Sequence, residues 1–256
     1  MGRIICIGNH KGGVGKTTTA VNLSTALAIA DKKTLLVDSD PQGNATTGIG
    51  VDKRKIKKSL YHGLIGESGV NDLIIDSEMD LLKIIPARMD LFRAEAEIDT
   101  RPGKERLLGN LLKDIKDMYD YIVIDSPPSF NLLTVNAFTA SDSLLIPLQC
   151  EYYAVESLKQ LFKILDVIRN HFNPDIEIEG ILLTMFSQDE TASRQIANDS
   201  RTRFKKILFK TVIPRDCHLQ ESARYGKPLM LYDIKSAGAQ GYLNLVKEIL
   251  HYEMAA

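Results

Sequence analysis

Along the chain, short runs of consecutive apolar residues alternate with longer stretches in which apolar side chains return every three or four positions. The runs lie at 3–9, 34–38, 82–86, 121–125, 143–147, 179–184 and 211–214. Several, such as Ile4-Ile5-Cys6-Ile7 and Tyr121-Ile122-Val123-Ile124, show no polar alternation. That is the pattern of strands covered on both faces. Residues 17–30 read as a helix with Ala20, Leu23, Leu27 and Ala30 toward the core. Residues 155–168 read as a helix with one stripe of Val155, Leu158, Leu161, Phe162, Leu165 and Ile168, a core-facing surface. Residues 103–118 and 237–250 read as amphipathic helices too. No Gly/Ser- or Pro-rich linker, internal repeat or low-complexity tract divides the alternation. The expectation is an α/β fold, a single doubly wound, mostly parallel sheet flanked by helices, in one domain spanning 1–256.

Composition narrows the partners. The chain has 256 residues, 44% hydrophobic and 25% charged, ordinary values for a globular domain with a sizeable core. A formal net charge of −1 gives no global pull toward nucleic acid or anionic lipid, so such a partner would need a local basic patch. The run at 53–58, Lys-Arg-Lys-Ile-Lys-Lys, reads as a solvated helix start rather than a nucleic-acid site. Cys6, Cys150 and Cys217 are odd in number and form no CxxC pair, which reads as buried or incidental thiols and not a disulfide framework. No secretory n- and h-region precedes the first strand, and no apolar run approaches the roughly 18 to 20 residues of a membrane span. The expected location is cytoplasmic.

The chemistry concentrates after the first strand, in Lys11-Gly12-Gly13-Val14-Gly15-Lys16-Thr17-Thr18-Thr19. Strand, glycine-rich turn and helix start, in that order, form the context of a phosphate-binding P-loop. Gly12, Gly13 and Gly15 let successive N–H groups converge on phosphate oxygens, and the helix N-terminus adds partial positive charge. Lys16 is placed for the β- and γ-phosphates, and the Thr17 hydroxyl for Mg²⁺. The strict pattern would have glycine where His10 stands, and the extra lysine, Lys11, marks a variant of the loop.

Carboxylates complete the site. Asp125 closes an apolar strand, the Walker B arrangement, and is assigned to a Mg²⁺-bound water. Asp38 and Asp40 close the second strand at the crevice of an open α/β sheet. No Asn-Lys-x-Asp element of guanine-specific enzymes occurs, so ATP is the expected nucleotide.

With these residues in place, the chain resembles the ParA/Soj family of chromosome- and plasmid-partitioning ATPases within the MinD/ParA group. The resemblance runs through 11–18, 38–44, 121–130, 149–153, 180–185, 212–215 and 226–233. It implies a slow P-loop ATPase, using ATP/ADP and Mg²⁺, that forms a homodimer when ATP-bound. Lys11 then reaches the partner's phosphates, Asp40 orients the attacking water, and Gly12 marks the closest approach of the subunits. Pro214 and Arg215 match the loop near the base. Catalytic roles fall to Lys11, Lys16 and Asp40. Nucleotide contacts fall to Lys11, Gly12, Gly13, Val14, Gly15, Lys16, Thr17, Thr18, Pro214 and Arg215, and metal contacts to Thr17 and Asp125.

The resemblance also implies non-specific double-stranded DNA binding and a ParB-like activator protein. Two arginines typical of the family's DNA surface are replaced here by Asp189 and His218, while Arg194, Arg201, Arg203, Lys205 and Lys206 cluster on or after one helix. A MinD-type membrane-positioning role would need a basic amphipathic C-terminal helix. Residues 247–256 carry one lysine and two glutamates, so no stable membrane association is expected. An iron–sulfur relative would need cysteines poised at a dimer face, which the spacing does not offer. Positioning of a protein cargo stays open beside a DNA cargo.

Overall fold

Eight strands form one sheet: β1 (Arg3–Ile7), β2 (Thr34–Asp38), β3 (Ile75–Asp76), β4 (Leu82–Ile85), β5 (Tyr121–Asp125), β6 (Ser143–Gln149), β7 (Glu177–Phe186) and β8 (Leu208–Pro214). Their order is β3-β4-β2-β5-β1-β6-β7-β8. Every pairing is parallel except β3 with β4. The computed structural model describes residues 2–151 and 154–255. Tyr152 and Tyr153 of the 149–153 segment, and the side chain of Val155 in the predicted stripe, lie outside the described residues.

Side-chain alternation explains the two-sided core. Ile4, Cys6, Leu35, Val37, Ile122 and Ile124 point to one face, and Ile5, Ile7, Leu36 and Val123 to the other. A parallel strand buried on both faces must be apolar at both parities. The first face is covered by helices that include Leu91–Ile98, Leu132–Thr139 and Ala154–His171. Lys16–Ile29 and Ala237–Ala255 cover the second. In the first of these Ala20, Leu23 and Leu27 are buried as expected, while Ala30 is half-buried at the C-cap.

Two expectations need correction. Residues 103–118 are not one helix but a 3₁₀ turn Lys104–Arg106, the helix Leu107–Lys113 and a second 3₁₀ turn Lys116–Met118. Gly103 is left-handed, Ile115 buries its side chain at the cap between the helix and the second 3₁₀ turn, and Tyr119 turns extended to lead into β5. The run 53–58 forms a single 3₁₀ turn Lys53–Lys55, with Asp52 accepting from the Arg54 N–H, instead of starting a longer helix. Buried Ile56 then pins an extended segment. β3 was not anticipated, since two residues on the sheet edge carry no periodicity to read.

Candidate nucleotide site

Register places the acids. Asp125 is paired with Ile7 on one side and with Asp38 on the other, so both carboxylates stand at the carboxyl edge beside the loop that leaves β1. Ser39 Oγ donates to the Asp125 carbonyl at 2.8 Å, and Ser126 Oγ donates to the Ile7 carbonyl at 2.8 Å, tying the three strand ends together.

The loop is fixed from outside. Asn9 Nδ2 donates to the Pro147 carbonyl at 2.8 Å, and its Oδ1 accepts from the Lys11 N–H at 3.1 Å. Thr184 Oγ1 donates to the Val14 carbonyl at 2.9 Å. Gly13 and Gly15 have φ of +77° and +91°, in the left-handed region that favours glycine. His10 has no positive φ, which explains why a histidine is tolerated where the strict pattern has glycine. Its buried Nδ1 has no hydrogen-bond partner among the described residues, and burial, reinforced by the Lys16 charge, holds the ring below the usual imidazole range.

The helix Lys16–Ile29 begins with no side-chain cap and no acidic residue in its first turn. Its free N–H groups and dipole therefore face the loop uncompensated, an anion site in waiting. Lys16 is 7% exposed, and its Nζ donates to the Lys11 carbonyl at 2.9 Å. Burial lowers its pKa against the attraction of Asp125 and Asp40. A desolvated cation of this kind gains most when phosphate arrives.

Asp125 is fully buried, and neither of its carboxylate oxygens has a hydrogen-bond partner among the described residues. Burial, then the charge of Asp38, pushes its pKa well above the carboxylate range; Thr17 and Lys16 pull it back only in part. An orphaned, buried carboxylate beside the Thr17 hydroxyl fits a hard divalent cation, with oxygen donors and water completing the shell.

The structure separates the two acids of β2. Asp38 Oδ2 accepts from the Thr46 N–H and from Thr46 Oγ1, each at 2.7 Å, and Oδ1 accepts from the Asp40 N–H at 3.2 Å. Burial lifts its pKa to about 6. Asp38 thus locks the turn. Asp40, 8% exposed, accepts from the Gln42 N–H at 2.9 Å through Oδ1 and stands near enough for its charge to act on Lys16.

Lys11 behaves differently from Lys16. Its Nζ pairs with Glu151 Oε2 at 2.9 Å. At Gly12 an added Cβ would meet nothing within 4 Å. Beside Gly15 and Thr18 a cavity of about 530 Å³ opens, walled by Met185, Pro214, Arg215 and Leu219, of a size for a nucleoside. Met185 holds φ +52°, a strained value for a non-glycine residue. Arg215 is exposed, with NH1 3.8 Å from Glu190. The locking groups Asn9, Thr46 and Thr184, and the Lys11–Glu151 pair, escape sequence reading because their partners are remote in the chain.

A glycine loop between a buried parallel strand and an uncapped helix, with Lys16, Thr17 and Asp125 converging on it, defines a P-loop nucleoside triphosphatase site. The AAA domain family AAA_31 matches residues 2–178. The chromosome partitioning protein ParA of Myxococcus xanthus is 47% identical over 98% of this chain and 88% of its own length. The sporulation initiation inhibitor protein Soj of Bacillus subtilis is 47% identical over 97% of this chain and 98% of its own. The chain belongs to the ParA/Soj family of partitioning ATPases. Among solved structures, cobyrinic acid a,c-diamide synthase from Mycobacterium smegmatis, with bound ADP and magnesium, superposes with a TM-score of 0.87 at 31% identity. That match covers 100% of this chain and 97% of the other. The Pyrococcus furiosus cell division ATPase MinD gives 0.83 at 28%, covering 98% and 100%.

Proposed function

We propose that this protein is a Mg²⁺-dependent ATPase that dimerises on ATP and serves as a switch in DNA partitioning. The observation that carries the reading is the division of labour between two lysines of one loop. Lys16 is buried in its own cradle, whereas Lys11 is directed outward on an exposed carboxylate. In a sandwich of two chains, Lys11 leaves Glu151 and meets the phosphates bound by the partner, where its charge stabilises the transition state.

Thr17 and the Asp125 side would hold Mg²⁺, which would supply positive charge against the charge developing on the phosphates. Asp40 orients the attacking water. Turnover is slow until a ParB-like activator engages the dimer. Met89, Phe92 and Phe130 follow the carboxyl ends of β4 and β5 and are exposed, which supports an apolar partner surface on that edge. Pro214 and Arg215 wall the base cavity, with Val14 and Thr18 completing the nucleotide contacts.

Non-specific double-stranded DNA is the proposed surface for the dimer, with Arg201, Arg203, Lys205 and Lys206 exposed on and after the helix Thr191–Arg203. Arg194 contributes less, because its guanidinium is turned back to the Gln188 carbonyl at 2.6 Å and to Thr191. Asp189 is exposed and His218 pairs with Asp216 at 2.7 Å, so the two replaced positions offer DNA little. Against a membrane-anchored role, the helix Ala237–Ala255 buries Tyr242, Leu245, Val246 and Ile249, and Glu253 pairs with Arg3. Among the described residues no helix is long and apolar enough to cross a membrane.

The test is Gly12→Val. Open space around this position in the single chain means that its fold and ATP binding survive, as read by melting with and without nucleotide. ATP-dependent dimer formation, read by light scattering, and ATP-dependent retention on random duplex DNA at low salt should both be lost. A Gly12→Val protein that still dimerises on ATP contradicts the reading. If the unaltered protein dimerises and yet leaves DNA free at low salt, the DNA part fails alone.

A further inference from the structure

Among the described residues, one group of metal-ligating side chains lies apart from Thr17 and Asp125. Asp216, Cys217 and His218 sit at the start of the helix Cys217–Arg224, and each offers a ligand atom within 4.8 Å of the others. Cys217 is exposed, unlike buried Cys6 and Cys150. Its Sγ lies 3.9 Å from His218 Nδ1, which is itself 2.7 Å from Asp216 Oδ1. The other ring nitrogen, Nε2, faces Asp233 Oδ2 at 3.9 Å.

We propose that Asp216, Cys217 and His218 bind a thiophilic divalent transition-metal ion of the Zn²⁺ type. A thiolate, an imidazole and a carboxylate are the donor set of such ions, not of Mg²⁺ or Ca²⁺. Tetrahedral Zn²⁺ with bonds of about 2.3 Å to sulfur and about 2.0 Å to nitrogen and oxygen separates S from N by roughly 3.5 Å and N from O by roughly 3.3 Å. The observed S···N separation is longer and the N···O separation shorter than these values, with all three ligand atoms within 4.8 Å, so rotations of the Cys217 and His218 side chains, both at the surface, assemble the site.

Preorganisation comes from the carboxylates. Asp216 is the fixed member: its side chain is 7% exposed, Oδ1 accepts from the His218 N–H at 3.0 Å, and Oδ2 accepts from the Gly238 N–H at 2.8 Å. The same ring rotation would have to bring Nε2 within hydrogen-bond distance of Asp233, now 3.9 Å away, for that carboxylate to hold the Nε2 proton and leave Nδ1 to the metal, the outer-shell arrangement common around ligating histidines. Binding displaces the Cys217 thiol proton and the proton that His218 Nδ1 shares with Asp216 Oδ1, both released to solvent. The fourth position stays open to solvent. Of the three ligands, Asp216 alone lines the base cavity, so the ion would sit beside that cavity and not within it.

The test uses the full-length, metal-free protein with excess Mg²⁺. Added Co²⁺ should give a thiolate-to-metal absorption band that saturates at one equivalent. Cys217→Ser should abolish the band, and His218→Ala should weaken binding at least tenfold. Absence of the band, its survival in Cys217→Ser, or unchanged binding in His218→Ala would overturn the proposal. A second readout needs no variant. Zn²⁺ should slow alkylation of Cys217, mapped by mass spectrometry, at least tenfold relative to Mg²⁺, and equal labelling rates contradict the site.

Discussion

In the Lys16→Ala protein, ATP with Mg²⁺ no longer raises the melting temperature. Lys16 is the buried cation of the cradle, and its only hydrogen bond described within the chain is to the Lys11 carbonyl. Burial already disfavours its charge, and Asp125 and Asp40 only offset that cost in part. The lysine therefore contributes little to the nucleotide-free fold and much to the bound state. A charge-assisted bond is worth roughly 1.5–3 kcal/mol. Its loss also leaves two carboxylates facing the phosphates, so the affinity should fall by at least about 100-fold. At ATP concentrations near 100 times Kd, the unaltered protein gains about 2.7 kcal/mol from binding. For a chain of this size that is a rise of roughly 5–10 °C. The variant should show almost none of it while melting within a few degrees of the parent without nucleotide. An undiminished ATP-induced rise would show that the loop does not hold the phosphates through Lys16.

Asp40→Ala should separate binding from turnover. Asp40 touches the protein through the Gln42 N–H and lies near Lys16, whereas Asp38 carries the structural bonds to Thr46. Removing Asp40 deletes a like charge near the phosphates and spares the turn, so ATP affinity should stay within about threefold or tighten. Loss of a group that orients water costs on the order of 10²–10⁴ in rate. Phosphate release should fall at least about 100-fold, and the dimer should persist on ATP in light scattering. Phosphate release at the parental rate would remove Asp40 from the chemistry.

Much of this site was legible in the sequence for a specific physical reason. β1, β2 and β5 are buried on both faces, so their apolar runs are unbroken, and each ends abruptly at the residues proposed to meet the nucleotide. β2 and β5 were bounded to the residue, and β1 to within two. What the chain could not display was pairing between distant segments. Nothing local says that Asp38 and Asp125 share a register, or that Thr184 holds the Val14 carbonyl. The roles of Asp38 and Asp40 are likewise set by Thr46, eight residues past Asp38, and by the depth of Lys16. Residues 103–118 misled because Leu108, Leu112 and Ile115 keep a helical spacing in the sequence while the backbone changes form beneath them. The Lys11–Glu151 pair is invisible for the same reason as the register: its partner follows β6, which neighbours β1 in the sheet but lies 140 residues away in the chain.

If Lys11 works in the partner's site, mixing two inactive variants restores the turnover that each lacks alone. Lys11→Ala retains Asp40 but offers no lysine across the interface; Asp40→Ala offers Lys11 but cannot orient water. Each alone should release phosphate at least about 100-fold more slowly than the parent. In a mixed dimer one site is complete, with its own Asp40 and the partner's Lys11, so an equimolar mixture should recover turnover well above the sum of the separate rates. A mixture no faster than that sum would contradict action in trans and confine Lys11 to its own chain.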